Sequence, residues 1–315
     1  MAPEKFADRS IDLCSLQEKV FGCVNVIHRS CPLCGDENRA TPPSRYSLGR
    51  WTVKACRNCG FTYIDSAPEY EALVQHVSWE KSSQIEKQWR ETTRTVQQSI
   101  SKKTRWRMRL LPRKNMPDML KRYADPGNVV DLGCGDGGHL EGLESSFIPH
   151  GIEISREAAI KANARFDASG GHAVNAPCLE GLREFPAEFF TAATLRSYLE
   201  HESRPAEVLT ELHRVLKPGG IAVVKVPNFA SLNRRVMERR WCGFRHPDHL
   251  NYFTPATLRA MATKSGFEAW FGLTWRMPTS DNMWALLRRR LASAWLFIIQ
   301  SLGAGHGVAE MALAF

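Results

Sequence analysis

Residues 128–138 read NVVDLGCGDGG. Two β-branched residues, Val129 and Val130, lead into Asp131, and Gly133, Gly135, Gly137 and Gly138 follow within six positions. The pattern predicts a strand that ends in a glycine-rich turn and feeds a helix. Such a turn lets a ligand approach the backbone closely, because glycine lacks a Cβ and tolerates φ > 0.

Outward from this stretch, strand and helix signals alternate. Strands are expected at 128–132, 149–154, 171–175, 189–195, 220–226, 267–273 and 308–315, and helices at 137–145, 155–167, 204–215, 230–238 and 255–265. Alternation at this spacing implies βαβ units, so a parallel sheet with helices on both faces. Ligands of such sheets bind outside the carboxyl ends of the strands. Asp131 and Glu153 both fall at predicted carboxyl ends.

Two ligand classes compete for that edge. Gly133 to Gly138 satisfies G-x-G-x-x-G, and Glu153 follows Gly133 by 20 residues, the spacing of a dinucleotide fold. Asp131 argues against a dinucleotide, because a carboxylate beside the turn repels a pyrophosphate. It suits a ligand that is cationic at that point, such as S-adenosylmethionine (SAM), which has an ammonium, a sulfonium and no phosphate. Glu153 can accept from two ribose hydroxyls in either case.

Five motifs in order, DLGCGDG (131–137), Glu153 in GIEIS, Leu199-Glu200-His201, RVLKPGG (214–220) and Val226-Pro227-Asn228, resemble the class I SAM-dependent methyltransferases over roughly residues 126–275. The resemblance implies a seven-stranded, doubly wound, Rossmann-like α/β sheet whose last strand is antiparallel. It implies that Asp131, Gly133, Gly135 and Gly137 hold the methionine part of SAM, and Glu153 its ribose. Asn175 falls where the family often has an Asp for the adenine amine, and Leu195 and Arg196 would line the methyl-transfer end. Assigning the seventh strand to 308–315 leaves residues 276–305 as a helical insertion.

Methyl transfer needs the acceptor collinear with the methyl and the sulfur in a water-free site. A hydroxyl or carbon acceptor also needs a base. His201 follows strand four and is one candidate; a His that only braces its loop is the other reading. His249, in WCGFRHPDHLNYF (241–253), is the second candidate base, in a segment that covers the substrate in related methyltransferases. Ubiquinone-type O-methyltransferases carry a glutamate three positions before the Glu of their L-E-H, where this chain has Ser197, which argues against a catalytic divalent metal.

Ahead of this domain, Cys31-Pro-Leu-Cys34-Gly and Cys56-Arg-Asn-Cys59-Gly are two C-x-x-C-G knuckles, separated by 21 residues. Four thiolates suit tetrahedral Zn²⁺. The β-rich 45–54 between them suggests a zinc ribbon, either a structural zinc or a nucleic-acid-binding module. The layout resembles the N-terminal metal-binding segment of sugar and small-molecule methyltransferases. A ribosomal-RNA guanine methyltransferase family also has a zinc module, but its second knuckle uses a Cys and a His. The chain therefore divides into residues 1–66 with the ribbon (core 28–66), a helical connector 67–125, and a SAM domain 126–315. The acceptor expected is a glycan, nucleotide sugar or lipid-linked small molecule, with RNA second; a non-catalytic SAM-fold binding module is a third reading, against which the intact Asp131–Gly137 and Glu153 argue.

Charge and composition bound the rest. Of a net +9, residues 1–125 carry 22 Lys/Arg against 14 Asp/Glu, and the remainder 20 against 19. Residues 101–114 hold seven basic residues of fourteen, a stretch that fits RNA, a membrane surface or a solvated helix. Residues 285–302 offer a second membrane or dimer contact, or a lid. The N-terminus has no apolar signal region, and the longest apolar run, 291–302, is below the roughly 20 residues a span needs, so a cytoplasmic location is expected.

Overall fold

The computed structural model describes residues 25–68, 116–272 and 282–290. Its centre is a seven-stranded sheet. β5 (Gly127–Leu132), β6 (Phe147–Ile152), β7 (Ala173–Val174), β8 (Phe190–Arg196), β9 (Leu216–Pro227), β11 (Phe267–Gly272) and β12 (Asn282–Arg289) lie in the order β11-β12-β9-β8-β5-β6-β7. β5 pairs in parallel with both β6 and β8, β6 with β7, and β8 with β9. β12 alone is reversed, antiparallel to β9 and to β11. The doubly wound, seven-stranded class expected from the sequence is therefore present.

Neighbouring residues feed opposite faces. Val129, Val223 and Leu286 join one apolar layer, and Val130, Val224 and Leu287 join the other. A strand buried on both faces reads as a continuous apolar run. Helices cover the sheet. Helix α1 (Met116–Tyr123) buries Met116 and Leu120. Helix α2 (Arg156–Phe166) is capped by Ser155, whose hydroxyl accepts from the Ala158 N–H, and it buries Ala158, Ala159, Ala162 and Phe166. Helix α3 (Cys178–Arg183) buries Leu179 and Leu182. Helix α4 (Pro205–Val215) buries Val208, Leu209, Leu212 and Val215 as one stripe. After the short helix α5 (Leu232–Met237), helix α6 (Pro255–Lys264) starts in a capping box between Thr254 and Thr257.

The seventh strand is a correction. It is Asn282–Arg289, inside the stretch expected to be a helical insertion, and not 308–315. LLRRR running into an apolar segment reads as an amphipathic helix. Here Met283, Ala285, Leu286 and Leu287 are buried on both faces of an interior strand, while Arg289 at its end pairs with Glu188 at 3.0 Å. Residues 285–289 thus belong to the sheet, not to a membrane-facing helix. Residues 291–315 lie outside the described residues, as do 69–115 with the basic stretch 101–114. The helix expected at 137–145 is also corrected: it is one 3₁₀ turn, Gly138–Leu140, which stops where Glu141 is extended (ψ 133°) and Gly142 left-handed (φ 82°). Among the described residues no helix is long and apolar enough to cross a membrane.

The N-terminal part is stitched to this domain. β1 (Val26–His28) pairs with β4 (Ser66–Pro68). β2 (Val53–Ala55) and β3 (Thr62–Ile64) form a hairpin whose third strand is β10 (Asn251–Tyr252), from the far side of the chain. Leu33, Phe61, Tyr63 and Phe253 then share the apolar layer of the main sheet. Arg29, 8% exposed, completes the seam. Its guanidinium donates to the carbonyls of Ile64 (3.0 Å) and Ser203 (2.9 Å) and to Asn251 Oδ1 (3.2 Å). Burial pulls its pKa down to about 10.

Candidate active site

The glycine turn leaves β5 at Leu132. Gly133, Gly135 and Gly137 all have φ > 0 (69°, 57° and 79°). A Cβ at Gly135 meets nothing within 4 Å, so the space beside it is open, whereas at Gly137 it lies 2.9 Å from the Phe166 ring. The turn is thus packed underneath and open above.

Asp131 is next to last in β5 and is 1% exposed. Thr194 Oγ1 donates to its Oδ1 at 2.5 Å, and Oδ2 is buried without a hydrogen-bond partner. Burial lifts the carboxyl to about 7, against the opposing pull of Thr194 and Arg196. A buried carboxylate oxygen lacking a donor is costly, and a cationic or N–H-bearing ligand removes that cost. Glu153, after β6, accepts from the N–H of Gly135 (2.9 Å) and of Ser155 (2.8 Å). Each oxygen keeps a further lone pair for a ligand hydroxyl. Asn175 donates through Nδ2 to the carbonyls of Glu153 (2.9 Å) and Ile154 (3.0 Å), which fixes its side chain at the same edge. Arg196 reaches that edge too and donates to the His139 ring. Leu195 does not: its side chain is wholly within the apolar layer, so it can line a ligand only with backbone. The alternation of β8 sends Arg196 out and Leu195 in.

An orphaned, buried carboxylate oxygen on Asp131 and further acceptor capacity on Glu153 suit a ligand with one cationic end and a pair of hydroxyls, which is the chemistry of SAM. When bound, SAM supplies an electrophilic methyl group on a sulfonium.

The second half of the site follows β8. Ser197 is a non-glycine residue at φ 53°, a conformation held by its surroundings and common at functional positions. It turns Tyr198 onto the glycine loop: a Cβ at Gly133 lies 3.1 Å from the Tyr198 ring. Glu200, His201 and His249 then converge, with one donor atom from each within 4.8 Å of the others. The two imidazoles stand at 87° with ring centroids 4.6 Å apart. The backbone holds the convergence, since the Glu200 carbonyl accepts from the N–H of Leu250 (2.7 Å) and of Asn251 (3.0 Å).

The charges in this cluster are ordered. Burial opposes a proton on His201, but the Asp248 carboxylate, 2.9 Å from Nδ1, outweighs it and lifts the imidazole to about 9. Asp248 is held well below the carboxylate range despite its burial, by His201 above all, and Arg245 pairs with its second oxygen at 3.1 Å. Arg245 therefore neutralises Asp248 instead of facing an outside anion. His249 is pushed well down, by burial and then by the charge of His201. Burial raises Glu200 to about 7, and its Oε2 has no hydrogen-bond partner. Near neutral pH the cluster thus presents an imidazolium, a neutral imidazole and a carboxyl near its ionisation, so it can take a proton and hold an anion. Both candidate bases named from sequence are here. Glu200 was missed as a chemical group; its sequence signal was a carboxylate adjoining His201 directly after a strand.

The knuckles form a second centre. Cys31 Sγ lies 3.5 Å from Cys59 Sγ, and Cys34 Sγ 3.5 Å from Cys56 Sγ. All four donor sulfurs are within 4.8 Å of one another. The two turns match: the N–H of Gly35 donates to the Cys31 carbonyl and that of Gly60 to the Cys56 carbonyl, each at 2.8 Å. A tetrahedron with Zn–S bonds of about 2.3 Å has S···S edges near 3.8 Å, so the four sulfurs fit one zinc ion with little adjustment.

Comparison with known proteins bears on the main domain. Residues 104–270 match the family described as methyltransferase domain. A protein described as an uncharacterized 37.1 kDa protein in transposon TN4556 of Streptomyces fradiae is 33% identical over 120 residues, covering 35% of this chain and 33% of that one. The chain thus matches about a third of the length of that curated relative. Among solved structures, a SAM-dependent methyltransferase from Methanosarcina mazei has 17% identity and a TM-score of 0.44, over 57% of this chain and all of that one. A SAM-dependent methyltransferase from Archaeoglobus fulgidus has 17% identity and a TM-score of 0.41, over 55% of this chain and 92% of that one.

Proposed function

From the premise that this chain belongs to the methyltransferase domain family and is a SAM-dependent methyltransferase, we propose that it methylates an oxygen or carbon atom of a small molecule, nucleotide sugar, glycan or lipid-linked acceptor. One observation carries this reading: Tyr198 packs on Gly133, so the segment bearing Glu200 and His201 touches the cofactor loop. The acceptor atom then sits between the open side of the glycine turn and the Glu200–His201–His249 cluster.

The residues divide the work. Asp131 and Glu153 orient the cofactor, with Asn175 and Arg196 at the same edge. Glu200 or neutral His249 takes the acceptor's proton, and the His201 imidazolium, braced by Asp248, holds the resulting anion. Glu200 and His249 are 1% and 5% exposed, and the strand pairing of β10 with β3 closes one side of the cluster. Such enclosure favours a small or chain-end group over a folded RNA. We assign one structural zinc to Cys31, Cys34, Cys56 and Cys59. Its role is to hold the ribbon against β10, so that the ribbon positions the acceptor site.

The test is transfer of labelled methyl from SAM into a cell extract fractionated into RNA, polysaccharide, lipid and small molecules. Label in a non-RNA fraction supports the proposal. Label in the RNA fraction alone replaces it with an RNA methyltransferase.

A further inference from the structure

We propose that Glu200, His201 and His249 form a divalent-cation site that binds the acceptor through oxygen, against the expectation drawn from Ser197, because His249 supplies a third donor that the sequence did not place there. The inference rests on the methyltransferase reading for the acceptor, but not for the ion. Two imidazoles and one carboxylate bring donor atoms within 4.8 Å of one another, from segments 48 positions apart in the chain. His249 Nδ1 faces the carbonyl of Gly243 at 2.8 Å, and His201 Nδ1 faces both the carbonyl (3.0 Å) and the carboxylate (2.9 Å) of Asp248. A carbonyl only accepts, so both Nδ1 atoms donate. The lone pair of each neutral ring is therefore on Nε2, which leaves that nitrogen to ligate.

The surroundings are those of a metal site. Metal-ligating histidines usually donate their other ring N–H to a carboxylate or a backbone carbonyl, which orients the ring. Asp248 does this for His201 and is itself held by Arg245; Gly243 does it for His249. The third donor is an independent observation: Glu200 is 1% exposed, and its Oε2 has no hydrogen-bond partner. A buried carboxylate oxygen in that state lacks a positive or hydrogen-bearing partner, and a cation between it and two imidazoles supplies one.

The donor set selects the ion. Two nitrogens and one oxygen suit Mn²⁺, Fe²⁺, Co²⁺ or Zn²⁺; Mg²⁺ prefers an all-oxygen octahedron. With the ion bound, Glu200, His201 and His249 act as ligands, the ion takes over from the His201 imidazolium in holding the acceptor's anion, and the acceptor's proton leaves to solvent. Three protein ligands leave positions open. An acceptor with an oxygen on or next to the methylated atom, such as a vicinal diol or a hydroxy-ketone, can fill them. The site is separate from the cysteine cluster, whose four thiolates are a softer, closed set.

The experiment titrates the protein as isolated, ribbon metal in place, with Mn²⁺ followed by paramagnetic resonance, and repeats the titration with Co²⁺. Mn²⁺ does not compete for thiolates. Wild type is expected to bind about one Mn²⁺ per chain. Glu200→Gln and His249→Ala are expected to weaken it at least tenfold, while S-adenosylhomocysteine still binds and the ribbon zinc is unchanged. Asp248→Asn, which removes no ligand, is expected to weaken it by about 10-fold to 100-fold, and it decides the matter if the other variants do not fold. No bound Mn²⁺ or Co²⁺ in wild type, or undiminished binding in folded variants, overturns the proposal. Failure of wild type to bind S-adenosylhomocysteine counts against the methyltransferase reading instead and leaves the ion count to stand by itself.

Discussion

Asn251 pairs with Tyr63 in antiparallel register, so a strand of the ribbon is hydrogen-bonded to the segment that carries His249 two residues earlier. The ribbon therefore borders the Glu200–His201–His249 cluster, where the acceptor is proposed to sit. Removing zinc with a chelator, or by Cys56→Ser, is expected to expose the amides of 249–252 to hydrogen exchange and to abolish methyl transfer. Affinity for S-adenosylhomocysteine should change little, because Asp131 and Glu153 lie on other strands. Unchanged exchange at 249–252 in zinc-free protein would separate the two centres.

Arg29 is the charge in that seam. Arg29→Ala leaves the carbonyls of Ile64 and Ser203 without their donor. A buried carbonyl left without its donor costs about 1–3 kcal/mol. The denaturant midpoint is expected to fall accordingly, with the slope of the transition unchanged.

Asp131 makes the ligand-free protein sensitive to pH. Its carboxyl is lifted from 3.8 to about 7 in the fold, so folding favours the protonated form. The associated stability is complete below pH ~4 and is lost as pH rises through ~7, because the unfolded chain releases that proton first. Glu200, also lifted to about 7, acts with the same sign, while His150, His246 and His249, held neutral by burial, act with the opposite one. The measurement is therefore the difference between two proteins: as pH rises from ~4.5 to ~7.5, the melting temperature of ligand-free Asp131→Asn should gain on that of wild type, and a constant difference would contradict the assignment.

Glu200→Gln preserves shape and removes the charge. The prediction is a fall in transfer rate of about 10²–10⁴, with cofactor affinity within threefold of wild type. The rate is measured on whichever extract fraction accepts label. A rate close to that of wild type would move proton removal to another group.

Much of this was legible in the chain. NVVDLGCGDGG dictated its own strand and turn, since alternation and glycine spacing are local properties. Glu153 and the two knuckles were equally local. The seventh strand was not: LLRRR favours a helix by itself, and only its position between β9 and β11 makes a strand of it. Nor was the site complete. Glu200 reads in sequence as a neighbour of His201, and its lack of a partner is a property of burial. The meeting of His201 with His249 depends on β10 joining the ribbon, which no periodicity announces. That Leu195 offers the edge only backbone follows from the side-to-side alternation of β8, which puts its side chain in the apolar layer.

The central claim is that the edge built from Asp131, the glycine turn and Glu153 holds the cofactor. Titration calorimetry with S-adenosylhomocysteine tests it most directly. The account predicts one site per chain, weakened by about 10-fold to 100-fold in Asp131→Ala, the range expected when a hydrogen bond to a charged group is lost, and retained in Glu200→Gln. Absence of binding in wild type, or full binding in Asp131→Ala, would contradict it.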